Sequence, residues 1–170
     1  MKCFIVAFLV MAVASMLIAG SPEEGTKSTP QFDKLKMLAG TWKGKDSDGK
    51  PITASYKLVS NGSALMEELT MEEHPDAMIT MYHLNGTKLM LTHYCSMGNQ
   101  PRMRVEKDSK DGSTLTFSYV DATNLSGPKD THMSGLVVTF KDDDHFSQQW
   151  VMSMNGKKQQ HETFEFERVK

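Results

Sequence analysis

The chain has 170 residues, a formal net charge of −2 and 24% charged residues. It is too short for a TIM barrel or a two-domain enzyme, and too evenly balanced in charge for a protein held to nucleic acid through phosphate contacts. Apolar residues are crowded at the start; beyond residue 20 they fall to about a third, low for a globular domain, and no later stretch is apolar enough to span a bilayer as a helix.

Seventeen of the first twenty residues are apolar. Lys2 precedes the run from Cys3 to Ala19, and small residues follow at Ala19, Gly20 and Ser21, the layout of a secretory signal. The expected division is a signal peptide over 1–20, a flexible leader over 21–29 and one domain over 30–170, with export to the periplasm or the extracellular space. The alternative for the first segment is an uncleaved membrane anchor. Cys3 would leave with the signal, and Cys95 then has no cysteine with which to form an internal disulfide.

Thr29-Pro30 can cap and open a short helix, and Gly40 can stop it. Phe32, Leu35 and Leu38 share one face at three-residue spacing, which predicts a helix or 3₁₀ segment of two or three turns. Strand patterns follow at 41–46, 51–60, 63–72, 76–84, 87–95, 101–107, 113–120, 132–141, 145–154 and 157–169, separated by turn signals such as Asp48-Gly49, Asn61-Gly62, Asn85-Gly86, Asp111-Gly112 and Asn155-Gly156. Short strands with tight turns read as an antiparallel meander. Closure removes its exposed edges. The expected fold class is therefore all-β: a closed meander barrel of about ten strands, with the short N-terminal helix at its base.

Two hairpins allow a test of register. A two-residue turn at Asn85-Gly86 would set Tyr82 opposite Leu89, Thr80 opposite Leu91 and Met78 opposite His93. Around Asn155-Gly156, strict pairing would place Phe146 and Trp150 on the face opposite Phe164 and Phe166. One extra residue near Gly156 would bring Phe146 over Phe166, so a bulge is expected there.

The stretch from Phe32 to Leu35, followed by Leu38-Ala39-Gly40-Thr41-Trp42-Lys43-Gly44, resembles the helix-then-G-x-W opening of calycin barrels: lipocalins, fatty-acid-binding proteins and nitrobindins. The resemblance implies a barrel-base Trp covered by an Arg of the last strand. Gly40, Trp42 and Arg168 would be that structural signature. A second likeness, through Met81-Tyr82-His83-Leu84, Leu91-Thr92-His93-Tyr94-Cys95 and Gly98-Asn99-Gln100-Pro101-Arg102-Met103, is to a group of uncharacterised secreted bacterial proteins of similar size. It implies fold and export, and carries no activity.

His93 and Cys95 lie two apart on one strand face. They could line a ligand pocket, pair a base with a nucleophile, or be a hydrogen-bonded core His beside a small buried Cys. Arg102 and Arg104 share a strand face. As in fatty-acid binders they could fork onto a ligand carboxylate inside the barrel, or stand solvated on its outer wall. His161 sits seven residues before Arg168, a spacing that resembles the iron-ligating His of nitrobindin-like haem proteins; strict alternation instead places it on the polar face with Thr163, Glu165 and Glu167. Eleven methionines follow residue 20, among them Met78, and these either fill a core or soften a cavity for a lipophilic ligand. There is no G-x-S-x-G, P-loop, zincin helix or C-x-x-C, so no catalytic residue and no metal ligand is assigned and no cofactor is required. The leading expectation is an exported barrel that binds one small apolar or amphipathic molecule, without nucleic acid, through Met78, Tyr82, His93, Cys95, Arg102 and Arg104. A haem or metal protein using His161 or His93, an enzyme using His93 with Cys95 or Tyr94, and a filled-barrel interaction module stand as alternatives.

Overall fold

Pro30 has the fixed φ that suits a first helical turn, and the Thr29 hydroxyl accepts the Phe32 amide at 3.3 Å. Helix α1 (Pro30–Lys36) forms there. The amides of Met37, Leu38 and Ala39 then bond back three residues, so the last turn tightens as unsatisfied helix ends commonly do. Gly40, at φ +126°, redirects the chain into the first strand, a conformation costly for a residue with a Cβ. Phe32, Leu35 and Leu38 are buried on the inner side of this segment.

The computed structural model describes residues 28–72 and 74–170. The expected signal peptide and most of the expected leader lie outside the described residues. Ten strands follow α1: β1 (Gly40–Lys45), β2 (Pro51–Val59), β3 (Ala64–Met71), β4 (His74–Asn85), β5 (Lys88–Tyr94), β6 (Gln100–Asp108), β7 (Thr114–Thr123), β8 (His132–Phe140), β9 (His145–Met154) and β10 (Lys157–Arg168). Each pairs antiparallel with its neighbour in sequence, and β10 pairs with β1 to close the barrel. The alternation in the sequence produces this directly. In β2, Ile52, Ala54 and Tyr56 point inward and their neighbours outward.

Closure is fastened at the base. Trp42 and Arg168 are partners across the β1–β10 ladder, and the guanidinium lies 4.1 Å from the indole centre, a cation over an aromatic face. Its donors fan out to the carbonyls of Met37 at 2.8 Å, Ala39 at 3.1 Å and Asp143 at 3.1 Å. One side chain thus ties α1, the last strand and the β8–β9 turn together. The Trp42 indole N–H donates to the Leu38 carbonyl at 2.7 Å. Beneath Arg168, Trp42 meets the Phe146 ring edge-on at 4.7 Å, and Phe146 stacks on Phe166 at 4.7 Å. Gly44 stands opposite Phe166; a Cβ there would come within 2.3 Å of the Glu165 carbonyl oxygen, so only glycine permits the strands to pack this closely.

Two register expectations change. The Asn155-Gly156 turn is a strict two-residue hairpin, with Met154 opposite Lys157 and both turn residues at positive φ, as the strand twist favours. The bulge that brings Phe146 over Phe166 lies further along β10, between Gln160 and Glu162. The β4–β5 hairpin turns at Gly86-Thr87 instead of Asn85-Gly86, so Asn85 pairs with Lys88 and the ladder slides by two residues. Each side chain keeps its face, because the period is two, but Thr80 now stands opposite His93.

Replacing Arg168 by Met keeps the apolar stem and removes the cation with its carbonyl bonds. Arg168→Met is expected to lose about 2–3 kcal/mol of stability in urea unfolding, and Arg168→Lys to recover less than half of that, since one ammonium cannot reproduce the fork. A loss under about 0.5 kcal/mol, the usual range of surface substitutions, would show that the barrel does not depend on this clamp.

Candidate functional site

The base of the barrel is filled by aromatic rings, and its opposite half is hollow. A cavity of about 410 Å³ opens at the end away from α1, within the roughly 300–1,000 Å³ of small-ligand pockets. Its wall is built from inward positions at the ends of β3, β4, β5, β8, β9 and β10 and from the β5–β6 turn: Leu69, Met78, Met133, Met152 and Phe164 form much of it, with Cys95 near the turn. Six of the lining residues are methionines. Their flexible thioethers adapt to varied apolar shapes.

Trp150 and His93 form the floor. Their rings meet at 4.7 Å, tilted by 44°. Below them lies a polar band across the barrel interior. Glu67 is 1% exposed. Its Oε2 accepts from the Tyr82 hydroxyl at 2.6 Å and its Oε1 from Gln148 Nε2 at 2.8 Å. Gln148 Nε2 also donates to the Tyr56 hydroxyl at 2.8 Å, and Gln148 Oε1 accepts from the Trp150 indole N–H at 3.1 Å. Tyr56 and Thr80 are the ladder partners of Glu67 on either side. Thr80 Oγ1 lies 3.0 Å from His93 Nδ1. An unpaired carboxylate at this depth would cost several kcal/mol; here the Tyr82 and Gln148 bonds set one donor on each of its oxygens.

The electrostatics follow from burial. Desolvation pushes Glu67 above the usual carboxylate range, against the pull of its hydrogen bonds. Tyr56 and Tyr82 rise well above the usual phenol range through burial and the neighbouring Glu67 charge. Burial lowers His93 to about 4, so the imidazole is neutral at physiological pH. Burial also raises the Cys95 thiol, the opposite of what activates a nucleophilic cysteine.

The structure therefore separates the residues singled out from sequence. Met78, His93 and Cys95 line one cavity. Tyr82 does not; it lies deeper, with its hydroxyl committed to Glu67. Arg102 and Arg104 do not line it either, which corrects the expectation of an internal guanidinium. Pro101 and Met103 take the inward positions of β6, so Arg102 and Arg104, at the alternate positions, point out, about half exposed. Arg102 forks onto Asp121 of β7, with Nε to Oδ1 at 2.6 Å, and Arg104 lies 3.9 Å from Glu106. His161 is the residue inserted at the β10 bulge, which breaks the alternation and brings it, with Glu162, to the cavity mouth. Among the described residues no three His, Cys, Asp or Glu side chains are grouped to hold a metal ion.

Glu67 escaped the sequence reading. Its signal was present: an acidic residue at the inward position between Leu65 and Leu69. Gln148, between Phe146 and Trp150 on an apolar face, carried the same signal.

No protein-family model matches the chain, and no curated protein does. Among solved structures, the chain is similar to a protein of unknown function from the DUF3598 family of Nostoc punctiforme, with 13% identity and a TM-score of 0.51 over 79% of this chain. It spans about half of that protein, 49% of its length. The likeness is one of fold alone. A second solved structure, EF1p2_mFAP2b bound to DFHBI, is 12% identical with a TM-score of 0.37, over 82% of this chain and 99% of that one; superposition this loose transfers no site.

The neutral, buried His93 generates a pH prediction. In the unfolded chain an imidazole titrates near 6.5, whereas in the folded barrel it stays unprotonated down to about 4. Between these values the unfolded state binds the extra proton, so stability falls as pH drops, by about 3 kcal/mol over the window. Glu67, raised by burial, acts with the opposite sign. His93→Phe retains Glu67, so the difference between the two proteins isolates His93. Thermal melts from pH 7 to pH 4 should show the wild type losing stability more steeply than His93→Phe; parallel curves would contradict a buried neutral imidazole.

Proposed function

We propose that this chain is an exported calycin-type barrel that binds one small, largely apolar molecule in the cavity above His93 and Trp150. The observation that carries the reading is the uneven filling of the barrel. Aromatic packing is complete from α1 up to the polar band, yet above it a cavity of about 410 Å³ is left open. Close-packed interiors do not leave voids of this size without a cost, and a hollow with an open mouth, methionine walls and few polar groups is the form of a small-molecule site. Export is supported by the sequence, in which Lys2 and the apolar run to Ala19 have the layout of a signal segment. An enzymatic reading finds less support, because the Cys95 thiol is raised by burial and His93 has a threonine and a tryptophan as its neighbours.

Titration with N-phenyl-1-naphthylamine, a neutral fluorophore that brightens in apolar surroundings, tests this reading. Saturable binding at one dye per chain is expected. Met133→Trp, which places a large ring in the cavity, should weaken it at least tenfold. Arg102→Ala, on the outer wall, should leave it unchanged. Absence of saturable binding, or binding indifferent to Met133→Trp, would overturn the proposal.

A further inference from the structure

The cavity wall holds more sulfur than an apolar lining requires. Six of its described residues are methionines and a seventh is Cys95, where leucine or valine would close the same surface. Thioethers and thiolates are soft donors, and an imidazole joins them readily on the same ions. The strand register places three such donors side by side. His93 stands opposite Thr80, and Tyr94 opposite Ile79; one step further, the same register sets Cys95 beside Met78. Met78, His93 and Cys95 thus occupy neighbouring inward positions on β4 and at the end of β5, and all three border the cavity. Facing positions lie about 5 Å apart and successive inward positions about 7 Å, a span that a thioether with three rotatable bonds closes around one ion.

Two of the donors are already steadied. His93 is 3% exposed; its Nδ1 lies 3.0 Å from Thr80 Oγ1, and among the described residues Nε2 has no hydrogen-bond partner. A metal-bound imidazole is commonly oriented in this way, through its other nitrogen. The Thr80 hydroxyl can donate or accept, so either tautomer of the free imidazole serves: ligation at Nε2 leaves the proton on Nδ1, and Thr80 accepts it. Cys95 is held by the turn that follows β5, its amide donating to the Asn99 carbonyl at 3.2 Å and its carbonyl accepting from the Gly98 amide at 2.9 Å. Charge then selects the ion. Coordination deprotonates a thiol outright, so one thiolate, one thioether and one neutral imidazole carry a single negative charge. A monovalent cation makes the site neutral; a divalent one would leave a positive charge uncompensated on an apolar wall. Among the described residues no three His, Cys, Asp or Glu side chains are grouped, so the three or four such ligands that Zn(II) takes are not assembled. We infer that Met78, His93 and Cys95 bind one soft monovalent cation, Cu(I), on the cavity wall. The Cys95 S–H bond breaks, a sulfur–copper bond forms, the proton leaves to solvent and no electron is transferred. This site is independent of the apolar molecule proposed above, whose binding is read with a different probe.

The test is an anaerobic competition for Cu(I) against bicinchoninate, whose copper complex is coloured. It uses the full chain with Cys3→Ser, so that Cys95 is the one thiol. The protein is expected to withdraw one Cu(I) per chain, and tenfold excess Zn(II) to leave that unchanged. Cys95→Ser should abolish the withdrawal. Met78→Leu and His93→Phe should each weaken it at least tenfold, while Met37→Leu, at an exposed methionine, should not. Failure to withdraw Cu(I), displacement by Zn(II), or an affinity indifferent to both Met78→Leu and His93→Phe would overturn the inference; the last result would mean a thiol acting alone. None of these results bears on naphthylamine binding, so the two readings fail separately. A second measurement needs no ligand-site variant to fold. In the Cys3→Ser chain with methyl-labelled methionine and nitrogen-15 histidine, Cu(I) should shift a methionine methyl signal and an imidazole nitrogen together at one equivalent. Unshifted methionine or histidine signals at that point would contradict the site.

Discussion

The contact between Trp42 and Arg168 is the constraint on which the rest of the structure depends. A ten-strand meander can close only if its two terminal strands meet, and these two residues are partners on the ladder where they do. The cation lies over the indole while its donors hold carbonyls of two other segments. Strand pairing, the seating of α1 and the position of the β8–β9 turn are thereby coupled. Gly44 belongs to the same arrangement, since the close approach of β1 to β10 leaves no room for a side chain.

From that closed base the interior changes character in layers. Aromatic rings fill the lowest layer, where Trp42, Phe146 and Phe166 interlock. A row of polar groups crosses the middle, from Tyr56 on β2 through Glu67 on β3 and Thr80 on β4 to His93 on β5, each opposite the next on its ladder. Methionine, leucine and phenylalanine enclose the open layer above. The polar row separates the two apolar layers and presents one of its ring nitrogens to the upper one. Buried polar groups are costly when incomplete; here bonds among Tyr82, Glu67, Gln148, Tyr56 and Trp150 join the band across the barrel.

Most of the fold was legible in the sequence because its signals are local. Alternation, paired turn residues and a capped short helix place ten strands and α1 within a few residues of where they form. The G-x-W pattern and Arg168 marked the closure. What was not legible depends on register and on bulges, which local pattern leaves open. A shift of two residues at Gly86-Thr87 keeps every side chain on its face, so alternation cannot detect it, yet it sets Thr80 opposite His93 and brings the hydroxyl within 3.0 Å of the imidazole. The bulge at Gln160–Glu162 moves His161 from the outer face to the cavity mouth. Arg102 and Arg104 misled because two charged residues on one strand face look equally suited to an internal anion site and to solvent. The inward places taken by Pro101 and Met103 decide between them, and those depend on where β6 meets β7, a pairing interrupted by two register shifts.

The central claim is a barrel filled below a polar floor and hollow above it. Crystals of the protein pressurised with xenon test this most directly, because xenon enters apolar cavities and leaves packed cores empty. The account predicts xenon among Leu69, Met78, Met133 and Met152, above the Trp150 ring, and none among Trp42, Phe146 and Phe166. Xenon absent from the upper half, with the methionine side chains collapsed into it, would contradict the account and remove the site it describes.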